Sequence, residues 1–216
     1  MGPTADERSY LPAMGRTWLL PLYDPLTHLL GVRRVHRRLI EQADVRPGQQ
    51  VLEIGCGTGN LLLRVKATEP GATVIGLDPD PGALARARRK ARRHRLEVRL
   101  DRGFADALPY PDDSMDVVLS AFMLHHVPED EKESAAREVL RVLRPGGSLH
   151  LVDMAVHLHA TDGGSVRRAH RRERLGDAAG DGIPDLLRRA GFSQVTETGS
   201  AVRRHLGRIT YYRATP

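Results

Sequence analysis

A chain of 216 residues, 40% apolar and 28% charged, is long enough for one medium domain with its own core, and its apolar share excludes a disordered chain. Its lone cysteine, Cys56, excludes a disulfide scaffold. The formal charge of +6 leaves nucleic acid, an anionic membrane or an acidic substrate open as partners, but all except three of the 33 basic residues are arginines, and this Arg- and Ala-rich usage reads as the product of GC-rich coding.

In chain order, residues 1–49 are expected as an N-terminal helical segment or lid, with a helix near Val32–Ala43, ahead of a domain over residues 50–216; together they make a single domain. Asp6, Glu7 and Arg8 precede any apolar run, unlike a signal peptide. The apolar stretch from Trp18 to Leu30 is broken by Pro21, Asp24, Pro25 and His28, short of the ~20 apolar residues a spanning helix needs. The expected setting is the cytoplasm. From Gln50 onward short β-rich runs alternate with helical patterns, which is the signature of an α/β fold with a mainly parallel sheet. Strands are expected at Gln50–Ile54, Thr73–Leu77, Glu97–Leu100, Met115–Ser120 and Ser148–Asp153, with a final antiparallel pair at Ser193–Thr198 and Gly207–Tyr212. Helices are expected at Asn60–Thr68, Pro81–His94, Asp130–Leu143 and Gly182–Ala190, with Arg144-Pro145-Gly146-Gly147 as a helix stop and turn. Residues 157–181 read as a loop holding one short basic helix at Ser165–Leu175.

The strongest motif is Glu53-Ile54-Gly55-Cys56-Gly57-Thr58-Gly59-Asn60, where a buried strand runs through three glycines into a helix. Glycines there permit a tight turn and close approach of a ligand to the main chain, and the helix start offers free N–H groups. The G-x-G-x-G spacing departs from the G-x-G-x-x-G of dinucleotide folds. A carboxylate at Glu53 is costly in a buried strand unless something satisfies it, which a cationic amine of a ligand would do. Asp78 closes the second strand 19 residues after Gly59, where an acidic side chain can accept both hydroxyls of a ribose.

With these elements the sequence resembles the class I S-adenosylmethionine (SAM) dependent methyltransferases. The resemblance runs through Gly76-Leu77-Asp78, Ala105-Asp106-Ala107-Leu108-Pro109, Asp113 to Val118, Leu124-His125-His126-Val127 and Leu143-Arg144-Pro145-Gly146-Gly147, covering roughly residues 45–155. Within that class it is most similar to the small-molecule branch that includes menaquinone and ubiquinone C-methyltransferases, a likeness that Tyr23-Asp24 extends upstream. The resemblance implies a doubly wound, mainly parallel, Rossmann-like seven-stranded sheet in the order 3-2-1-4-5-7-6, with the seventh strand antiparallel. It implies S-adenosyl-L-methionine as cofactor and S-adenosyl-L-homocysteine as product. Gly55, Cys56, Gly57 and Gly59 would pass under the methionine part, with Glu53 holding the loop or the amino group. Asp78 and Pro79 would serve the ribose, and Asp106 and the Ala107 N–H the adenine. Ser120 would line the methionine side, and Tyr23 the lid. Where the quinone enzymes carry an Arg-Asn pair, this chain has Leu124-His125-His126, which speaks against a quinone acceptor.

Methyl transfer from a sulfonium is an in-line displacement in which the protein mainly positions the reactants, and a base is needed only if the acceptor must lose a proton. His125 and His126, just past the fourth strand, are the candidates for that base. The expected acceptor is a small or lipid-like molecule. The basic cluster Arg167, Arg168, His170, Arg171, Arg172 and Arg174 leaves contact with an anionic acceptor or membrane surface open. Two rivals remain: an RNA or DNA methyltransferase, against which Ser120-Ala121-Phe122-Met123 speaks because it lacks an Asn/Asp-Pro-Pro-aromatic motif, and a SAM-binding regulatory protein without transferase activity. No metal site is expected, since His157-x-His159 alone is weak.

Overall fold

The computed structural model describes residues 31–154, 182–203 and 207–216. The run Gln50–Ile54 (β1) is buried at all but its first residue, as a strand covered on both faces must be. It pairs in parallel with Thr73–Asp78 (β2) on one side and Met115–Ala121 (β4) on the other. Arg99–Arg102 (β3) adds to β2, and Leu143–Met154 (β5) adds to β4, both in parallel. At the far edge Gly207–Thr215 (β7) runs antiparallel between β5 and Gln194–Arg203 (β6). The order is β3-β2-β1-β4-β5-β7-β6, as the resemblance implies. The order reverses between β1 and β4, so a crevice is expected outside their carboxyl ends.

Among the described residues five helices cover the sheet: Val32–Ala43 (α1), Leu62–Thr68 (α2), Pro81–His94 (α3), Glu129–Val142 (α4) and Gly182–Ala190 (α5). Successive strand residues point to opposite faces. Val51, Leu119 and Val152 pack with Val35 and Leu39 of α1 and with Leu62 and Val65 of α2. Leu52, Ile54, Val118 and Leu151 pack with Val139 and Val142 of α4 and with Leu186 and Leu187 of α5. By the same alternation Glu53 faces the α1–α2 layer and Ser120 the α4–α5 layer. Local chemistry sets the helix ends. Asp80 caps α3 by accepting the Gly82 N–H at 2.7 Å, Pro81 occupies its first turn, and Arg92, Arg93 and His94 complement the dipole in its last. Glu129, Asp130 and Glu131 do the same for the start of α4, and Arg141 for its end.

Several boundaries differ from the sequence expectation, the seventh strand among them, which runs on to Thr215 rather than Tyr212. The third strand lies at Arg99–Arg102, two residues beyond Glu97–Leu100, because pairing with β2 from Ile75 to Asp78 sets its register and an edge strand needs no apolar run. The fifth strand begins at Leu143, which already pairs with Met115, so Arg144 to Gly147 belong to an irregular strand start rather than a separate turn. The first helix after β1 begins at Leu62, not Asn60, because the glycine loop takes up the intervening turn. The sixth strand continues past Thr198 through a register shift between Glu197 and Gly199, where Gly199-Ser200 reads in sequence as an end. Trp18, Tyr23, His157, His159, the helix expected at Ser165–Leu175 and the cluster Arg167 to Arg174 lie outside the described residues. Among the described residues no helix is long and apolar enough to cross a membrane.

Candidate functional site

β1 delivers Ile54 directly into the glycine loop at the carboxyl edge of the sheet. Gly55, Gly57 and Gly59 all have positive φ, at 66°, 51° and 78°. At Gly57 an added Cβ would meet nothing within 4 Å, so the backbone there borders open space. At Gly55 an added Cβ would overlap Met123 Cγ and stand 2.7 Å from Met123 Cβ, because the chain leaving β4 folds back over the loop. The loop is tied to its neighbours by its own N–H groups. Cys56 donates to the Leu77 carbonyl at 3.0 Å, and Gly57 donates to Asp78 Oδ2 at 2.7 Å. From the flank Lys90 of α3 donates to Thr58 Oγ1 at 3.0 Å and to Asn60 Oδ1 at 2.8 Å.

Three buried carboxylates stand beneath and beside this loop. Glu53 is 3% exposed and accepts the Leu62 N–H at the start of α2. Its Oε2 has no hydrogen-bond partner, and burial pushes its carboxyl well above the usual range, against the pull of that N–H. Asp78 accepts the Asp80 N–H through Oδ1 at 2.9 Å as well as the Gly57 N–H through Oδ2. Burial nevertheless raises Asp78 to about 6, the two N–H groups holding it from going further. Asp80 uses Oδ1 to cap α3 while its Oδ2 is buried without a partner. Buried polar atoms without partners are few in native proteins and ask for a ligand or a water. The Cys56 thiol is buried too, and burial with the nearby Glu53 and Asp78 pushes it up, away from reactivity.

Beyond β3, Asp106 and Ala107 lie in a turn closed by the Ala107 N–H donating to the Phe104 carbonyl at 3.3 Å. The segment that follows is anchored by α4. Glu138 Oε2 accepts the Leu108 N–H at 2.7 Å, and Arg141 donates to the carbonyls of Leu108 and Tyr110 at 3.0 and 2.9 Å. Arg141 also pairs with Glu138 and Asp112, and this pairing holds the Glu138 carboxyl below its usual range.

Past β4, the 3-10 turn Leu124–His126 brings His125 against the end of β5. His125 Nδ1 lies 2.7 Å from Asp153 Oδ1, and the His125 backbone N–H donates to Asp153 Oδ2 at 3.3 Å. The Asp153 side chain is 1% exposed and that of His125 13%. The His126 ring stacks on His125 with centroids 4.0 Å apart, tilted by 41°. Burial, with the His125 ring adding to it, lowers His126 to about 4 and keeps it neutral near pH 7. Ser120 is fully buried, its Oγ without a partner, and it lines a small apolar cavity of about 20 Å³ under α4 and α5 with Ile54, Met123 and Leu151.

The residues singled out in the sequence therefore fall along one edge of the sheet. Gly55, Cys56, Gly57 and Gly59 form the loop after β1, Asp78 and Pro79 end β2, Asp106 and Ala107 follow β3, and His125 and His126 follow β4. The side chain of Ser120 points away from that edge into the α4–α5 layer, and Tyr23 lies outside the described residues. Sequence reasoning missed Asp80, Lys90, Met123 and Asp153. The signal for Asp153 was present, since Leu151-Val152-Asp153 repeats the apolar-strand-then-Asp pattern of Gly76-Leu77-Asp78. Lys90 reads only as one more cation in a basic helix.

Residues 51–147 match the family model described as a methyltransferase domain. Together with the sheet order, this gives the segment the fold of the class I S-adenosylmethionine-dependent methyltransferases, a class whose cofactor is S-adenosylmethionine. Within the class the chain resembles the menaquinone group: it is 41% identical over 138 residues to the demethylmenaquinone methyltransferase of Thermus thermophilus, covering 62% of either chain. It is 38% identical over 135 residues to the methyltransferase GfsG of Streptomyces halstedii, covering 62% of this chain and 47% of that one. The matches thus span between about half and three fifths of these curated relatives. The fold is shared with the SAM-dependent methyltransferase of Aquifex aeolicus at a TM-score of 0.61 and 18% identity, over 82% of this chain and 88% of that one.

Proposed function

We propose that the protein transfers the methyl group of S-adenosylmethionine to a small-molecule or lipid-like acceptor. The observation that carries this reading is the pairing of an open, left-handed Gly57 with the buried Asp78 carboxylate at the carboxyl edge of the sheet, one strand from its reversal point. The donor set fits the cofactor. Each Asp78 oxygen keeps accepting capacity beyond its one backbone N–H, as a ribose diol requires. The unpartnered Glu53 Oε2 and Asp80 Oδ2 leave two buried polar atoms beside the loop that a ligand's amine could contact.

When bound, the cofactor supplies a methyl group already activated on a sulfonium. The chain's own residues bind and orient. In this reading the backbone of Gly55, Cys56, Gly57 and Gly59 passes beneath the methionine part, and Glu53 holds the loop to α2. Asp78 and Pro79 serve the ribose, Asp106 and Ala107 the adenine, and the backbone at Ser120 borders the methionine side. Of residues 1–49 the described helix α1 packs against the sheet, and in this reading His125 and His126 stand nearest the acceptor. The acceptor reading rests on the curated relatives, three of which are named demethylmenaquinone methyltransferases, while His125 and His126 in place of the Arg-Asn pair after β4 speak against a quinone itself.

Methyl-labelled cofactor incubated with the protein and a fractionated cell extract tests this reading. Label is expected in the low-molecular-weight or lipid fraction. Label confined to RNA or protein contradicts it.

A further inference from the structure

We propose that the layer formed by α1, α2 and α3 is a surface that seats the protein on an anionic lipid bilayer. This rests on the lipid-like acceptor reading above and deepens it, by giving such an acceptor its route to the site. The strands β1, β2 and β3 follow one another outward along the sheet, so right-handed crossovers put α2 and α3 on one face. The step from β4 to β5 runs the other way and puts α4 on the opposite face. α1 shares the first layer with α2 through Val35, Leu39, Leu62 and Val65.

The two layers differ in charge. α1 contributes four lysine or arginine side chains, α2 two and α3 six, against a single carboxylate, Glu41. α4 contributes three such cations and α5 two, against five carboxylates on α4 and one on α5. A coding bias toward arginine would fall on both layers alike, so it does not account for the difference. Partnering differs as well. On the α4–α5 layer Arg137, Arg141, Arg188 and Arg189 each pair with a carboxylate. On the other layer Arg33, Arg34, Arg64, Arg89, Arg92 and Arg93 make no ion pair among the described residues, and all but Arg64 are exposed. Burial, with Arg33 adding to it, lowers Arg64, so α1 and α2 bring like charges close together. Cations gathered in this way repel one another, and an anionic surface laid over them relieves that cost.

Chemistry selects the occupant. Single-stranded nucleic acid needs aromatic platforms for its bases, and α1, α2 and α3 contain no Phe, Trp or Tyr. A bilayer needs only a broad field of cations, and guanidinium groups grip headgroup phosphate through paired N–H donors. α2 begins just after the glycine loop and α3 just after Asp78 and Asp80, so this layer borders the candidate site along the carboxyl edge of the sheet. Seated by the layer, the protein holds that edge at headgroup level, where a lipid-like acceptor presents its polar end.

The test uses the full chain with three probes: vesicles of phosphatidylglycerol in phosphatidylcholine, vesicles of phosphatidylcholine alone, and short single-stranded and duplex oligonucleotides. Calorimetry of cofactor binding runs in parallel. Cosedimentation is expected with the anionic vesicles and not with the neutral ones, and it should weaken by about tenfold or more between ~50 mM and ~500 mM salt. Arg89→Glu, Arg92→Glu and Arg93→Glu combined should weaken vesicle binding by about tenfold or more, with cofactor affinity within roughly twofold. Lysine at the same three positions keeps the charge and should keep binding within about threefold, which a loss of folding would not allow. Should the glutamate variant fail to fold, Arg33→Gln with Arg34→Gln on α1 carries the test, with an expected loss of about threefold or more. Equal binding to neutral vesicles, no binding to the anionic ones, the same loss in the lysine and glutamate variants, or tighter binding to either oligonucleotide at equal salt each overturn the proposal. Vesicle binding by a wild type that does not bind the cofactor overturns the methyltransferase reading instead.

Discussion

Asp78 Oδ2 accepts the backbone N–H of Gly57 at 2.7 Å, so the end of β2 holds the middle of the glycine loop in place. The same carboxylate is the group assigned to the ribose. Asp78→Ala therefore removes a loop tether and a ligand contact together. Hydrogen bonds to a charged group contribute roughly 1.5–3 kcal/mol each, so cofactor affinity should fall by about 10- to 100-fold or more, read by calorimetry. An affinity within about twofold of the wild type would remove Asp78 from the site.

Protonation of Asp78 gives that contact a pH dependence. Its carboxyl is raised from 3.8 to about 6 in the folded protein, chiefly by burial. Hydroxyls donating to the carboxylate favour its charged form, so binding should release a proton and affinity should rise from pH 5 to pH 7. For folding the sign is opposite. The folded chain keeps this proton between pH 3.8 and about 6 while the unfolded chain gives it up, so this group's contribution to stability is lost as pH rises through that window. Calorimetry in buffers of different ionisation enthalpy checks the proton release, and an affinity that falls between pH 5 and pH 7 would contradict it.

Gly55 and Gly57 separate folding from binding. Alanine at either must adopt positive φ, at a cost of about 1–2 kcal/mol. Only at Gly55 does the new methyl also overlap Met123. Gly55→Ala should lower the thermal midpoint clearly more than Gly57→Ala, and adding Met123→Ala should recover part of the difference. Gly57→Ala should remain folded yet lose cofactor affinity by about tenfold or more, because its methyl enters the open space where the ligand passes. Equal thermal midpoints for the two single variants would refute the Met123 contact.

Arg141 is the anchor of the segment that carries Asp106 and Ala107. Lysine cannot reproduce its forked bonds to the Leu108 and Tyr110 carbonyls and to Glu138. Arg141→Lys is expected to destabilise the protein by ~1–2 kcal/mol in urea unfolding and to increase amide exchange over residues 104–110. Unchanged exchange there would show that α4 does not hold this segment.

Buried histidines make the fold acid-sensitive. Burial, with Arg64 adding to it, lowers His36 in α1 to about 3, and burial with Arg213 lowers His150 in β5 to about 4. Below pH 6.5 the unfolded chain takes up protons that these side chains refuse in the folded state, so their contribution to stability is lost as pH falls from 6.5 towards 3. His36→Leu should therefore gain on the wild type in urea midpoint between pH 7 and pH 5. Parallel curves would contradict the assignment.

Much of this was legible in the chain. The central strands announce themselves as short apolar runs, the glycine loop by its spacing, and Asp78 by its place at a strand end. What escaped did so for physical reasons. β3 is an edge strand whose register is set by β2 and not by its own Leu96, Val98 and Leu100. β5 begins at Leu143 and runs through the Pro-Gly-Gly segment because pairing of Leu143 with Met115 outweighs local turn propensity. Lys90 acts through Thr58, 32 residues away, and no local pattern marks it; Asp153 is marked by its strand end, but its pairing with His125, 28 residues away, is not. Ser120 was read from its position at a strand end, and its side chain lies in the α4–α5 layer beside Ile54 and Met123.

The central claim is that the Gly57–Asp78 edge binds S-adenosylmethionine. Titration of the purified full chain with the cofactor by calorimetry near pH 7 tests it most directly, with Asp78→Ala and Gly57→Ala in parallel. Saturable binding at one site per chain is expected in the wild type, weakened at least tenfold in both variants. No binding by the wild type, or equal binding by all three proteins, would contradict it.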